Sequence, residues 1–277
     1  MASFFGEVIP VVSRAVDEDD DEDNEDEKLT LIPSPACVRW SAKIRQYLEA
    51  SSTNKLNCDV LIIAIGSAAT SFTETYILQE KHELLGNICT GLNDKDENTF
   101  SQKAFTDKSC FIYQLKKKEN VIVCQCKTAV APEQAFSWTD LFLCRLDLRS
   151  AYVAVLASDT ASNFQSAAPV GDLSTPFVRA LKTLWFRGTP FCPYLESPNC
   201  IAGLPAQILT YCQIHKVATV LYVVYSDSIF MDASTVKAFM PIANMTPIKD
   251  IKVENPKSEE LLANLIEQHQ SKTALYI

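Results

Sequence analysis

The sequence predicts the α/β class, a three-layer domain in which a central mixed sheet is flanked by helices. Continuous apolar, β-branched runs recur along the chain and read as strands buried on both faces. Segments with helical spacing fall between them. Prolines stand at the first turn of several of those segments, a position that a helix tolerates. Asp59–Ile65 is the clearest strand, six apolar residues after the aspartate, closed by Gly66. Ser109–Leu115 and Val121–Cys126 flank the polar stretch 116–120 and read as a hairpin. Ala151–Ala157 and Val217–Tyr225 complete a set of five strands. Helices are expected over Ser41–Ser51, Ala68–Gly86, Pro132–Leu148, Leu204–His215, Ala233–Ala243 and Pro256–His269. In the last of these, Asn255 and Pro256 form an N-cap and first-turn pair, and Leu261, Leu262, Leu265 and Ile266 make one apolar face. Strands interleaved with such helices bury a sheet from both sides, hence the three layers.

The stretches Ser158–Pro176 and Arg187–Gly203 have loop composition. Between them, Phe177–Phe186 mixes aromatics with Arg179 and Lys182. At helical spacing its apolar members are core; the long loop before it, with Gly188 and Pro190 after it, also fits a protein-binding surface.

The formal net charge of −9 has a local origin. Residues 17–27 hold ten carboxylates in eleven positions, and outside that run 24 acidic residues meet 25 basic ones. The body is therefore neutral, without the basic excess that draws a protein to nucleic acid or anionic lipid. The acidic run repels itself and has nothing to bury, so residues 1–33 are expected to form a largely disordered arm. Only Met1–Val12, with Phe4 and Phe5, carries apolar content there, which fits a packed strand or a short linear motif equally. Pro33 and Pro35 mark the entry to a single domain over residues 34–270, followed by a flexible tail, 271–277.

No cationic segment leading into an apolar run opens the chain. The longest apolar stretch, Val217–Tyr225, is nine residues, far short of a bilayer span. Membrane insertion is not expected. The ten cysteines lie mostly inside apolar runs such as Val123-Cys124-Gln125-Cys126. They read as small buried hydrophobes in a reducing compartment, without structural disulfides. That points to the cytoplasm.

Catalytic signatures are scarce. Gly66 follows a strand and precedes Ser67-Ala68-Ala69-Thr70, but no second glycine completes a dinucleotide fingerprint or a P-loop. No G-x-S-x-G elbow occurs. A structural turn is the better reading of Gly66–Thr70. Cys192, Cys200, Cys212 and His215 are the one set to weigh for metal, and the gap between Cys192 and Cys200 does not match the close ligand pairs of zinc sites. No metal, cofactor or catalytic residue is predicted. Lys116–Lys118 reads as a solvated hairpin turn. The chain stops on Leu275, Tyr276 and Ile277, which together offer an apolar anchor, a ring with a polar tip and a fixed carboxylate. A socket with an apolar slot and a lysine can grip all three. An adaptor that binds through its acidic arm and loops is the alternative reading.

Several segments recur in an order that resembles a known family: Phe4-Phe5-Gly6-Glu7 ahead of an acidic run, Ile62-Ile63-Ala64-Ile65-Gly66, Cys124-Gln125-Cys126, Pro176-Phe177 with Arg179-Ala180-Leu181-Lys182-Thr183, Cys192-Pro193, Leu204-Pro205-Ala206 and Tyr211-Cys212-Gln213. With the final Leu275-Tyr276-Ile277, the chain resembles the proteasome assembly chaperones from end to end, with patchier matches between about residues 70 and 175. The resemblance implies a non-enzymatic α/β protein that pairs with a related chaperone, proteasome assembly chaperone 2. It implies a heterodimer seated on the α-ring of the 20S proteasome, promoting ring formation and blocking off-pathway ring association. It also implies that a hydrophobic-Tyr-X tail, here Leu275, Tyr276 and Ile277, inserts between α subunits, and that the protein resides in the cytoplasm, with the nucleus and endoplasmic reticulum surface also allowed.

Overall fold

Alternation along four parallel strands sorts the side chains onto two faces of one sheet. The computed structural model describes residues 36–79, 81–89, 109–165, 173–227, 231–253 and 255–274. The expected arm 1–33 and the residues Leu275, Tyr276 and Ile277 lie outside the described residues. In chain order the elements are β1 (Cys37–Trp40), α1 (Ala42–Ala50), β2 (Leu56–Asn57), β3 (Val60–Ile65), α2 (Ser67–Tyr76), β4 (His82–Cys89), β5 (Ser109–Leu115) and β6 (Lys118–Cys126). They continue with α3 (Pro132–Leu143), β7 (Leu146–Asp147), β8 (Tyr152–Thr160), β9 (Phe177–Lys182), α4 (Gly203–Ile214), β10 (Ala218–Ser226), α5 (Ala233–Lys237) and α6 (Ser258–Ala274).

Eight strands form one mixed sheet in the order β1-β4-β5-β6-β3-β8-β10-β9. Strands β6, β3, β8 and β10 run parallel at its centre, and antiparallel strands close both sides. Strands β2 and β7 form a separate parallel pair. Registers such as Ile63 with Cys124 and Val155 align every second side chain across the sheet. Leu61, Ile63, Cys124, Val153, Val155, Leu221 and Val223 pack under α1, α3 and α4. Val60, Ile62, Val123, Ala154, Leu156, Val220 and Tyr222 pack under α2, α5 and α6. The three-layer α/β architecture expected from the sequence is the one found. Trp138 and Phe142 of α3 fill the first core edge to face at 5.6 Å. Phe72 of α2 meets Phe239 at 5.6 Å in the second. The buried Gln125 ties the sheet to α2, donating to the Thr70 carbonyl at 3.1 Å and to Thr73 Oγ1 at 3.0 Å.

Several element expectations are corrected. The helix expected over Ala68–Gly86 stops at Tyr76, and His82–Cys89 is strand β4. Gly86 shows why: a Cβ there would lie 2.4 Å from the Arg39 carbonyl oxygen, so β1 approaches too closely for any side chain. The helix expected to reach Leu148 ends at Leu143, because Leu146 and Asp147 pair with Leu56 and Asn57. Helix α5 ends at Lys237, and Ile242–Asn244 is a separate 3₁₀ turn. Phe177–Lys182 is an edge strand antiparallel to β10, its helical reading overridden by that partner. Helix α6 starts at Ser258, with Asn255 Oδ1 accepting from the Lys257 N–H at 2.9 Å in the turn before it, and runs on to Ala274 rather than ending at His269.

Candidate protein-interaction surface

Three places weighed from the sequence can be followed in the structure: the Gly66–Thr70 turn, the Lys116–Lys118 hairpin and the cysteine–histidine set. Gly66 has φ +86°, a conformation that only glycine adopts without strain. It lets β3 turn directly into α2. The Thr70 hydroxyl donates to the Gly66 carbonyl at 2.9 Å, and eight of the ten α2 residues are buried. The junction is a structural turn, as its composition indicates. At the β5–β6 hairpin, Lys118 opens β6 and its ammonium donates to the Asp250 carbonyl at 2.9 Å.

The cysteine–histidine set is dispersed. Cys200 is exposed and Cys212 is buried beneath α4, while His215 stacks on Tyr211 at 4.1 Å. Among the described residues no group of three or more His, Cys, Asp or Glu side chains is placed to hold a metal. Burial pushes the Cys58 thiol up to about 12, with the neighbouring Asp59 charge adding to the effect, and pushes Cys212 up to about 11. Such thiols are protonated at neutral pH and are poor nucleophiles. Among the described residues no helix is long and apolar enough to cross a membrane.

What remains is surface. Arg179 of β9 lies over the Phe164 and Phe177 rings at 5.2 and 5.0 Å and pairs with Glu196 at 2.9 Å. Burial of Glu196 opposes its ionisation, but the Arg179 hydrogen bond, a backbone hydrogen bond and the Arg179 charge together outweigh this and hold its carboxyl below the usual range. After β9 the chain turns. Thr183 is buried and donates to the Val217 carbonyl at 2.8 Å, which forces the next two side chains outward. Leu184 is 81% exposed and Trp185 39%. The Leu184 N–H donates to Gln213 Oε1 at 2.9 Å, and the Lys216 ammonium lies 5.5 Å from the centre of the Trp185 ring, so the turn is fixed against the end of α4.

On the helices beside it, Phe136 of α3 is 64% exposed and Ile214 of α4 is 70% exposed, with Leu141 partly so. The Leu184–Trp185 part of this patch falls within the segment that the sequence marks as a possible binding surface. Phe136 and Ile214 were not foreseen, although a signal exists. Phe136 shares a helix face with Glu133 and Asp140, and Ile214 shares one with Gln207 and Thr210. An apolar residue on an otherwise polar face has no core to fill. The binding residues expected at the chain end, Leu275, Tyr276 and Ile277, follow α6 directly, one residue beyond its last turn.

Comparison with known proteins gives this geometry a context. The family model described as Proteasome assembly chaperone 4 matches residues 1–277. Proteasome assembly chaperone 1 of Xenopus tropicalis is 33% identical over 288 residues, covering 100% of both chains. The protein of that name from Homo sapiens is 32% identical over 287 residues, covering 99% of each. Two archaeal structures share the fold. Pyrococcus furiosus PbaB, an archaeal proteasome activator, superposes with a TM-score of 0.54 at 13% identity, covering 87% of this chain and 97% of its own. PbaA of the same organism, an archaeal homolog of proteasome-assembly chaperone, gives 0.53 at 12%, covering 88% and 100%. The full-length match to the family model and the full-length relatives agree: the chain belongs to the proteasome assembly chaperone 1 family.

Proposed function

We propose that the chain assists assembly of the 20S proteasome as a heterodimer with proteasome assembly chaperone 2, promoting α-ring formation and blocking off-pathway ring association in the cytoplasm. Family membership over the full length carries this reading. The absence of a recognisable catalytic motif in the sequence is in keeping with a binding role.

In this reading Leu275 fills an apolar slot between α subunits, the Tyr276 ring packs beside it, and a lysine meets the Ile277 carboxylate. Burying the tyrosine ring contributes up to about 4–6 kcal/mol. Fixing a residue's backbone costs about 1–2 kcal/mol. Helix α6 reaches Ala274, so three residues rather than seven lie beyond it. Docking then costs about 3–6 kcal/mol of backbone entropy instead of about 7–14. Gain and cost nearly cancel, so useful affinity needs a second attachment that raises the effective concentration of the tail. The three residues span only about 10 Å, which brings the body of the domain close to the ring and gives that attachment a place to form.

The test is isolation of the tagged chain, and of a version ending at Ala274, from cells, with mass spectrometry of both eluates. The full chain is expected to bring the sister chaperone and α subunits. Truncation is expected to lose the α subunits and keep the sister. Undiminished recovery of α subunits by the truncated chain rules out the tail as the docking element.

A further inference from the structure

The pairing proposed above requires a face for the sister subunit, and we infer that it is the outer surface of α3 and α4 together with the Leu184–Trp185 turn. This inference rests on the heterodimer reading. Every large apolar side chain exposed among the described residues belongs to the α1, α3 and α4 layer or to the segment around β9: Tyr47, Phe136, Leu141, Leu184, Trp185, Tyr194 and Ile214. The opposite helices α2, α5 and α6 expose none. Tyr194 stands beside Lys182 on the other face of the sheet. Chance scatter of single apolar residues needs no explanation, but Phe136, Leu141, Leu184, Trp185 and Ile214 all fall on α3, on α4 or on the turn fastened to α4.

The patch spans two packed helices and the turn bonded to one of them. Helices α3 and α4 pack side by side, so Phe136 and Ile214 project from neighbouring helices. The Leu184 N–H bond to Gln213 and the Lys216 ammonium over Trp185 fasten the turn to the same end of α4 as Ile214. Phe136, Leu141, Leu184, Trp185 and Ile214 present on the order of 500 Å² of apolar surface at their observed exposures. A standard interface buries about 800 Å² on each partner, a little over half of it apolar. The patch thus supplies the apolar share of one full interface, which favours a folded protein subunit over a short peptide. Its anchors are an indole held by a cation and side chains on helices. These are pre-ordered groups that lose little entropy on binding and that dominate binding energy in protein pairs. Charge does not favour a nucleic acid or an acidic partner, since Glu133 and Asp140 border Phe136 while Lys216 borders Trp185. The occupant is a second α/β chaperone subunit with an apolar helical face of its own.

The chain is co-expressed with proteasome assembly chaperone 2 and the mass of the complex is measured by light scattering. The unmodified chain should form a one-to-one complex. The pair Phe136→Lys and Ile214→Glu, and separately Leu184→Asp, should each weaken that complex at least a hundredfold while thermal melting of the isolated chain stays unchanged. Gln268→Lys, on the exposed face of α6, should leave it intact. If the altered chains bind the sister as tightly as the unmodified one, this assignment fails and the heterodimer reading stands. If the unmodified chain forms no complex, the pairing itself fails and takes this assignment with it. If the unmodified chain instead forms a homodimer that the same substitutions disperse, the face belongs to a second copy and the proposal is overturned.

Discussion

The two helix layers cover the same sheet in different ways. Beneath α2, α5 and α6 the core closes fully: α2 buries eight of ten residues, and the outer face of α6 is polar, with Glu259, Glu260, Asn264, Glu267 and Gln268. Beneath α1, α3 and α4 the core is equally buried, yet the outward faces carry Phe136, Leu141 and Ile214. Burial of the sheet therefore does not account for the apolar content of the second layer. A helix needs one apolar face to fold against a sheet; several further apolar residues on the far sides of two neighbouring helices are not required by that folding. In this molecule the closed layer carries α6, which leads to the proposed ring-docking tail, and the open layer carries the proposed partner face.

The sharpest test of this contrast compares two faces of one helix. Trp138→Ala on the inner face of α3 should cost about 3–5 kcal/mol in urea denaturation. Phe136→Ala, two residues earlier, should change stability by no more than about 0.5 kcal/mol. A large loss at Phe136 would mean that it belongs to the core and that the layers do not differ. Next in size, Gly66→Ala at the entry to α2 should cost about 1–3 kcal/mol. The added methyl would meet Ser158 Oγ at an ordinary 3.6 Å, so the penalty is conformational rather than steric. With ψ at 172° the site lies outside the left-handed helical region that Asn tolerates, and Gly66→Asn should cost as much as Gly66→Ala.

Most buried cysteines gather in one core. Cys58, Cys110, Cys124, Cys126 and Cys212 line the first together with Tyr225, whereas the second holds Tyr76 and Tyr222, with Tyr152 and Cys192 packed against it. Burial keeps Cys58 protonated to about pH 12 in the fold, whereas an unfolded thiol ionises near pH 8.5. Below that pH the contribution is complete. Above it the unfolded chain releases a proton that the folded chain retains, so stability falls as pH rises, by up to about 1.4 kcal/mol per pH unit for this thiol. Cys58→Ala should flatten the slope between pH 9 and 11 by about that amount, read from denaturation midpoints. An unchanged slope would place the titration elsewhere. Smallest, Asp232 caps α5 by accepting from the Thr235 N–H at 2.8 Å, and Asp232→Ala should lower stability by about 1 kcal/mol.

The central strands were legible because their partners lie on both sides and their side chains face apolar layers on both faces. A continuous apolar run such as Val60–Ile65 records that environment directly. The edges were not. Strand β1 is four residues with Arg39 among them, β4 carries His82, Glu83 and Asn87, and β9 carries Arg179 and Lys182. Their strand character comes from a neighbour rather than from their own pattern. Leu84-Leu85 reads as helix until Gly86 is seen against the Arg39 carbonyl. The proposed binding surface was half legible. The Leu184–Trp185 segment stood out by composition, while Phe136 and Ile214 were hidden in helices whose inner faces were already apolar enough.

The most direct test isolates two altered chains side by side from the same cells: one ending at Ala274, the other carrying Phe136→Lys and Ile214→Glu. The account predicts that the first keeps proteasome assembly chaperone 2 and loses the α subunits, and that the second loses the sister chaperone while remaining folded. If both alterations remove the same partner, or neither removes any, the two layers do not divide the work and the account is wrong.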